Sequence, residues 1–152
     1  MASSSGFWSR IVTLTAFAGW LPFLAGLALT LYPPFLPITQ TVFERAMLGY
    51  GVLILGFLGG VRWGIRLQGG AGSDLTYVVG IIGSVLGFFV LLMPYEFGLA
   101  VLTVAFGAQG AWDVWSGLQG GVPQSYARLR SLMTWLVCLT LIAILAARAV
   151  TP

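Results

Sequence analysis

Charged residues divide this chain into long uncharged stretches. Only 11 of its 152 residues are charged, and they leave five stretches of at least 16 residues with no formal charge. A helix rises about 1.5 Å per residue and a bilayer core is about 30 Å thick, so roughly 20 apolar residues make one crossing. The pattern predicts five transmembrane helices, at about residues 12–31, 45–67, 75–93, 97–115 and 132–147.

Proline and glycine separate the predicted helices. Segments rich in these residues lie at 33–37, 69–73, 94–96 and 117–123. Thr41 and Glu44 have capping-box spacing, which predicts that the second helix begins beside them. Since no segment is long enough for a separate soluble domain, residues 1–152 are expected to form one all-α integral membrane bundle.

Composition supports a lipid environment. Hydrophobic residues make up 59% of the chain and charged residues 7%, with a mean hydropathy of +0.97. These values lie outside the range of soluble domains. The basic residues are seven arginines scattered among the hydrophobic stretches. They form no dense basic patch, so nucleic acid is not an expected partner.

The distribution of arginine predicts the orientation. With a cytoplasmic N-terminus, five arginines lie on the cytoplasmic side and two on the opposite side; the five are Arg10, Arg62, Arg66, Arg128 and Arg130, and the two are Arg45 and Arg148. This excess favours an N-terminus inside and a C-terminus outside. The first apolar stretch exceeds the 7 to 15 residues typical of a cleaved signal, so it is expected to remain as a span.

Two charges are expected to lie below the membrane surface. Sixteen residues separate Arg45 from Arg62, and sixteen separate Glu96 from Asp113, which is about 24 Å of helix against about 30 Å of hydrocarbon. Arg62 and Asp113 share one membrane side, so they are predicted to pair, with Gln109 adding a hydrogen bond. The alternative is that both side chains reach the lipid headgroups beside tryptophans at 63, 112 and 115.

Glycines recur every four residues in the second helix. Gly56, Gly60 and Gly64 form a smooth ridge, which is expected to pack against a neighbouring helix of the bundle. Other residues are typical of the membrane surface and are expected to contact lipid headgroups or a partner protein: Arg66, Arg128, Arg130, Trp63, Trp112 and Trp115.

The residues needed for catalysis are scarce. The chain has no histidine or lysine, its single cysteine is Cys138, and its four acidic residues lie near the predicted membrane surfaces. A general base, an activated nucleophile or a metal cage would need such groups together in the interior. The chain is therefore expected to be non-enzymatic, with no cofactor and no metal site.

Part of the second helix resembles a known family. The run from Tyr50 to Gly64, YGVLILGFLGGVRWG, looks like the signature of a small membrane family of unknown function that includes mitochondrial transmembrane protein 69 and many proteobacterial proteins. Supporting matches are Gly19 to Phe23 and the segment from Pro123 through Arg128 and Arg130 to Thr134. The resemblance implies a multi-span inner-membrane protein and supplies no chemistry.

Two functional hypotheses follow from these observations. Small size, minimal loops and glycine-rich helices are typical of an accessory, structural or assembly subunit of a larger respiratory or photosynthetic complex. Its expected partners are membrane lipids and other integral membrane subunits, in a bacterial cytoplasmic membrane or a mitochondrial inner membrane. The alternative is a small-solute transporter or channel, which would need polar groups near the bilayer midplane.

Overall fold

Five helices make up the described part of the chain. A computed structural model describes residues 4–32, 39–69 and 74–150, and all regular structure in these ranges is helical. The helices are α1 (Ser4–Leu31), α2 (Gln40–Leu67), α3 (Leu75–Val90), α4 (Tyr95–Leu118) and α5 (Gln124–Val150). Four of them, α1, α2, α4 and α5, are long and apolar enough to cross a membrane, whereas α3 has only 16 residues.

The helices and the predicted spans differ mainly at their ends. Helices α1, α2, α4 and α5 all extend beyond their apolar stretches, and α5 begins eight residues before the predicted position 132. Hydropathy identifies only the apolar part of a helix. The helical backbone hydrogen bonds continue into the polar residues on either side, so the helix is longer than its apolar stretch. Helix α3 instead ends at Val90, three residues early, and residues 91–93 form a turn before Pro94. Proline disfavours helical geometry in the residue before it, which explains the early end.

The start of α2 corrects the predicted cap. Thr39, two residues before Thr41, is the N-cap, and its hydroxyl oxygen accepts a hydrogen bond from the backbone nitrogen of Val42 (3.4 Å). The predicted capping box of Thr41 and Glu44 is therefore wrong, because Thr41 already lies within the helix. The predicted connection at 33–37 and most of that at 69–73 fall outside the described residues. Gly69 and Gly120 have φ of 86° and 74°, which favours glycine where α2 and α4 end.

The core lies where α1, α2, α4 and α5 meet. Its most deeply buried apolar side chains, which include Val90 from α3, are Phe23, Leu48, Leu55, Val90, Leu99, Leu102, Phe106, Leu141 and Ile144. Two hydrogen bonds attach α1 to the bundle. The indole of Trp20 donates to the hydroxyl of Thr140 on α5 (3.1 Å), and the Tyr50 hydroxyl on α2 donates to the Gly19 carbonyl (2.6 Å).

Glycine brings α2 and α3 together, although at a different position from the predicted ridge. A Cβ added at Gly59 would collide with the Gly80 carbonyl oxygen of α3. Of the predicted ridge, only Gly56 approaches α3, where an added Cβ would lie 3.1 Å from the Ser84 hydroxyl. Gly60 and Gly64 are exposed, and an added Cβ there would meet no described atom within 4 Å. The prediction that these two glycines pack inside the bundle is wrong, because the contact face of α2 is centred one residue earlier.

Alanine substitution at two adjacent glycines should therefore give opposite results. We expect Gly59→Ala to lower the free energy of unfolding by about 1–3 kcal/mol, since the α2 and α3 backbones must separate. Gly60→Ala should be neutral or stabilising by up to about 1 kcal/mol, because alanine favours the helix and meets open space. Thermal unfolding in mild detergent measures both variants, and equal effects would contradict this assignment of faces.

Candidate functional site

A buried ion cluster joins three helices near one end of the bundle. The Nε atom of Arg62 on α2 lies 2.9 Å from Oδ1 of Asp113 on α4. The Nε atom of Arg130 on α5 lies 3.0 Å from Oδ2 of the same carboxylate. The three residues are only 2%, 1% and 6% exposed, in the order Arg62, Asp113 and Arg130. The structure thus brings together the predicted pair and adds a second arginine to it.

Backbone carbonyl groups complete part of this buried ion cluster. Arg62 Nη2 donates to the carbonyl oxygen of Gln109 (2.6 Å), one turn before Asp113 on α4. The Gln109 side chain points elsewhere, and its Nε2 donates to the Leu55 carbonyl of α2 at 3.4 Å. The predicted contribution of Gln109 therefore comes through its backbone. Its side chain makes a second connection between α2 and α4.

The position of Arg130 corrects its assignment to the membrane surface. It was expected to contact headgroups or a partner because it precedes the last apolar stretch. Helix α5 begins at Gln124, so Arg130 lies six residues inside the helix, about 9 Å along its axis. Arg128, by contrast, is exposed. The position of Arg130 before an apolar stretch gave no signal of this contact, because α5 begins well before that stretch does.

A second group of charges lies at the opposite end of the same three helices. Arg148 on α5 contacts the carboxylates of Glu44 on α2 (3.0 Å) and Glu96 on α4 (2.6 Å), and its guanidinium carbon lies 5.6 Å from the ring centre of Tyr95. We call Arg148, Glu44 and Glu96 the opposite ion cluster. On each of the three helices, the residue of the opposite ion cluster lies 17 or 18 positions from the residue of the buried ion cluster. This separation is about 26 Å along the helix axis.

The remaining predicted surface residues lie around the buried ion cluster. Trp63 is partly exposed, and its indole donates to the Tyr77 carbonyl of α3 (3.0 Å). Trp112 and Trp115 contact each other, with ring centres 5.0 Å apart. Arg66 lies 3.6 Å from Asp74, which is 92% exposed. A polar and aromatic rim therefore surrounds this end of the bundle, as is typical of a membrane interface.

The contacts of the buried ion cluster occupy both oxygens of its carboxylate. Both carboxylate oxygens of Asp113 accept hydrogen bonds from guanidinium groups, so Asp113 is poorly placed to take a proton from a substrate. In the described ranges, no three His, Cys, Asp or Glu side chains gather as a metal site would require. The cluster also lies away from the middle of the bundle, because Asp113 is about 10 Å from the midpoint of α4.

The chain is similar in sequence to one family of known proteins. A family profile described as "Protein of unknown function (DUF3429)" matches residues 8–146, nearly the whole chain. The chain belongs to the DUF3429 family. The region matched to DUF3429 includes the entire buried ion cluster and α2, α3 and α4 complete. No solved structure is significantly similar to the chain.

Removal of the shared carboxylate should destabilise the bundle strongly. We expect Asp113→Asn to cost about 3–5 kcal/mol of unfolding free energy, because it leaves buried arginine charge uncompensated. Replacing all three members together, with Arg62→Met, Asp113→Leu and Arg130→Met, should recover most of that loss. Thermal unfolding in detergent measures these differences.

A control comes from the opposite ion cluster. Glu96 is about half exposed, so Glu96→Gln should cost only about 0–1 kcal/mol. If Asp113→Asn and Glu96→Gln had the same small effect, the buried ion cluster would not hold the helices together. An exchange of Arg62 and Asp113 alone is not expected to restore stability, because it would place a new arginine beside Arg130.

Proposed function

We propose that this DUF3429 protein is a non-catalytic accessory, structural or assembly subunit of a larger inner-membrane complex, respiratory or photosynthetic. One observation carries the proposal: α2 has a row of exposed residues with two glycines at its centre. This row, which we call the glycine face, consists of Leu53, Phe57, Gly60, Gly64 and Leu67. Among the described residues, none lies within 4 Å of a Cβ added at Gly60 or Gly64.

Small residues on an outward face allow a second helix to approach closely. Helices in lipid gain little from burying apolar surface against each other, so association depends on close backbone packing and van der Waals contact. Gly60 and Gly64 are four residues apart, as in the small-xxx-small pattern of helix pairs. Leu53, Phe57 and Leu67 lie above and below them at helical spacing and supply apolar contact area. The glycine face therefore suits a transmembrane helix of a partner subunit.

The charges of the protein support the same proposal. The residues that could perform chemistry in the interior, Arg62, Asp113 and Arg130, already bind one another. At the other end, Arg148 binds Glu44 and Glu96. Both ion clusters thus connect α2, α4 and α5, which is a structural use.

We further propose that all five helices cross the membrane. Although α3 is short, its two ends lie at the two ends of the bundle. At one end, Asp74 contacts Arg66 beside the buried ion cluster. At the other end, the Leu91 carbonyl accepts a hydrogen bond from Arg45 (2.7 Å). Its 16 residues span about 24 Å, close to the 26 Å between the ion clusters. An odd number of crossings puts the two termini on opposite sides of the membrane, and the arginine excess supports a cytoplasmic N-terminus and an outside C-terminus.

An inner membrane is the proposed location. The resemblance to the group that contains mitochondrial transmembrane protein 69 and proteobacterial proteins supports a bacterial cytoplasmic membrane, or a mitochondrial inner membrane in a eukaryote. The transporter hypothesis has less support. Thr103 and Ser84, the main polar residues near the midplane, line no shared path, since Thr103 donates to its own helix at Leu99 (2.8 Å) and Ser84 is exposed on α3.

Leucine substitutions test the glycine face. We expect the double variant Gly60→Leu and Gly64→Leu to lose its partner subunit during purification in mild detergent, because the added side chains keep the helices apart. Its own thermal stability should stay close to that of the unaltered protein, since the added atoms point into open space. Mass spectrometry of the purified material measures the stoichiometry of the partner.

A matched control has its leucine on another outward face. An added Cβ at Gly107 of α4 also meets no described atom within 4 Å, so Gly107→Leu should keep the partner. A purified protein that has no stoichiometric partner before any substitution would refute the accessory role. Retention of a partner by the double variant would refute the glycine face as its binding surface.

Labelling of introduced cysteines tests the orientation. In a Cys138→Ala background, we expect Gln119→Cys to react with a membrane-impermeant maleimide only from the cytoplasmic side, because it lies in the connection between α4 and α5. Tyr32→Cys, at the highly exposed end of α1, should react only from the opposite side. Labelling of both positions from the same side would contradict the proposed crossing of α2, α3 and α4.

A further inference from the structure

The buried ion cluster holds more positive than negative charge. Two guanidinium groups, which remain protonated in proteins, share the single carboxylate of Asp113. The Nη1 atom of Arg62 and the Nη2 atom of Arg130 are buried, and neither donates to any described group. The internal contacts therefore leave about one positive charge and two donor atoms unmatched, although unmatched charge is costly below the membrane surface.

A small cleft is lined by Arg62, one of the two arginines with an unmatched donor, and not by Arg130. Its volume is about 10 Å³, enough for one atom of the size of a water oxygen. Its polar lining consists of Arg62, Arg66, Asp113, Thr76 and Ser116. Arg62 is almost completely buried, while Arg66 is about one quarter exposed, so the cleft extends from the cluster toward the outer rim.

An anionic oxygen suits this cleft better than a neutral molecule. A water molecule could accept a hydrogen bond from Arg62, but it would leave the extra positive charge uncompensated. An oxyanion supplies the acceptor and the negative charge together, and hydrogen bonds from guanidinium to an anion are among the strongest in proteins. The hydroxyl groups of Thr76 and Ser116 can donate to the same oxyanion.

We propose that this cleft binds a phosphate group, with one phosphate oxygen beside Arg62 and the others toward Arg66 at the mouth. The cleft lies near the ends of two helices that are long enough to cross a membrane, where a span meets the phospholipid headgroups, and basic pockets between transmembrane helices are known to suit anionic lipids. Free inorganic phosphate has the same recognition chemistry. The proposal concerns the isolated bundle and does not depend on the accessory role.

Lipid titration of the purified protein tests the site. In neutral detergent, phosphatidylglycerol should raise the midpoint of thermal unfolding and saturate near one lipid per protein in native mass spectrometry, whereas phosphatidylcholine should have little effect. Arg66→Gln should weaken this binding about tenfold or more, because a charged hydrogen-bond donor is lost. Arg128→Gln, on the same membrane side but away from the cleft, should stay within about twofold.

Each outcome has a defined meaning. Saturation by inorganic phosphate alone, with competition against the lipid, would support the phosphate site and assign free phosphate as its occupant. Equal weakening by Arg66→Gln and Arg128→Gln would overturn the proposal, because it would indicate general attraction to a negative surface. An absence of response to both phosphate sources would also overturn it. If Arg66→Gln does not fold, the double variant Thr76→Ala and Ser116→Ala should still weaken binding.

Discussion

The contact on which the structure depends is the carboxylate of Asp113 shared by Arg62 and Arg130. None of these charges is stable alone below the membrane surface, where an isolated charge costs several kcal/mol. The two arginines pair with the carboxylate only when α2, α4 and α5 meet at one level, with nitrogen to oxygen distances of 2.9 and 3.0 Å. The pairing therefore selects one arrangement of three helices that apolar contacts alone would specify weakly, because lipid tails are as apolar as the side chains.

The opposite ion cluster extends this constraint along the bundle. Arg148, Glu44 and Glu96 lie on the same three helices as the buried ion cluster, at nearly the same axial separation of about 26 Å. A shift of one helix by one turn would move it about 5.4 Å and break its contacts at both ends. Between the two levels the core can be almost wholly apolar, with Leu55, Leu102 and Phe106 fully buried. Charge sets the register of the helices, and close packing then fills the space between.

The sequence could predict the helices and two of the three members of the buried ion cluster for specific reasons. Arg62 and Asp113 stood out because sixteen residues of helix are too short to carry both flanking charges to the surfaces. Arg130 gave no such signal, since an arginine before an apolar stretch ordinarily lies at the headgroups. The first residues of α5 are polar, so hydropathy does not show that the helix begins before Arg130. The repeat of Gly56, Gly60 and Gly64 was visible as well. Which neighbour each face of α2 meets is a property of the assembled bundle, so Gly59 could not be distinguished from Gly60.

These observations explain why one helix carries so many unusual residues. Successive residues of α2 are turned by about 100°, so Gly59, Gly60 and Arg62 face three different surroundings within one turn. Gly59 contacts the α3 backbone, Arg62 reaches into the buried ion cluster, and Gly60 faces outward with no described neighbour. Gly59 and Arg62 lie only about 60° apart around the helix, so these two contacts fix one side of α2 and hold the face of Gly60 rigid while no described residue covers it. A rigid face that is prepared in advance loses little conformational entropy on binding, which favours the use of α2 as a surface for another transmembrane helix.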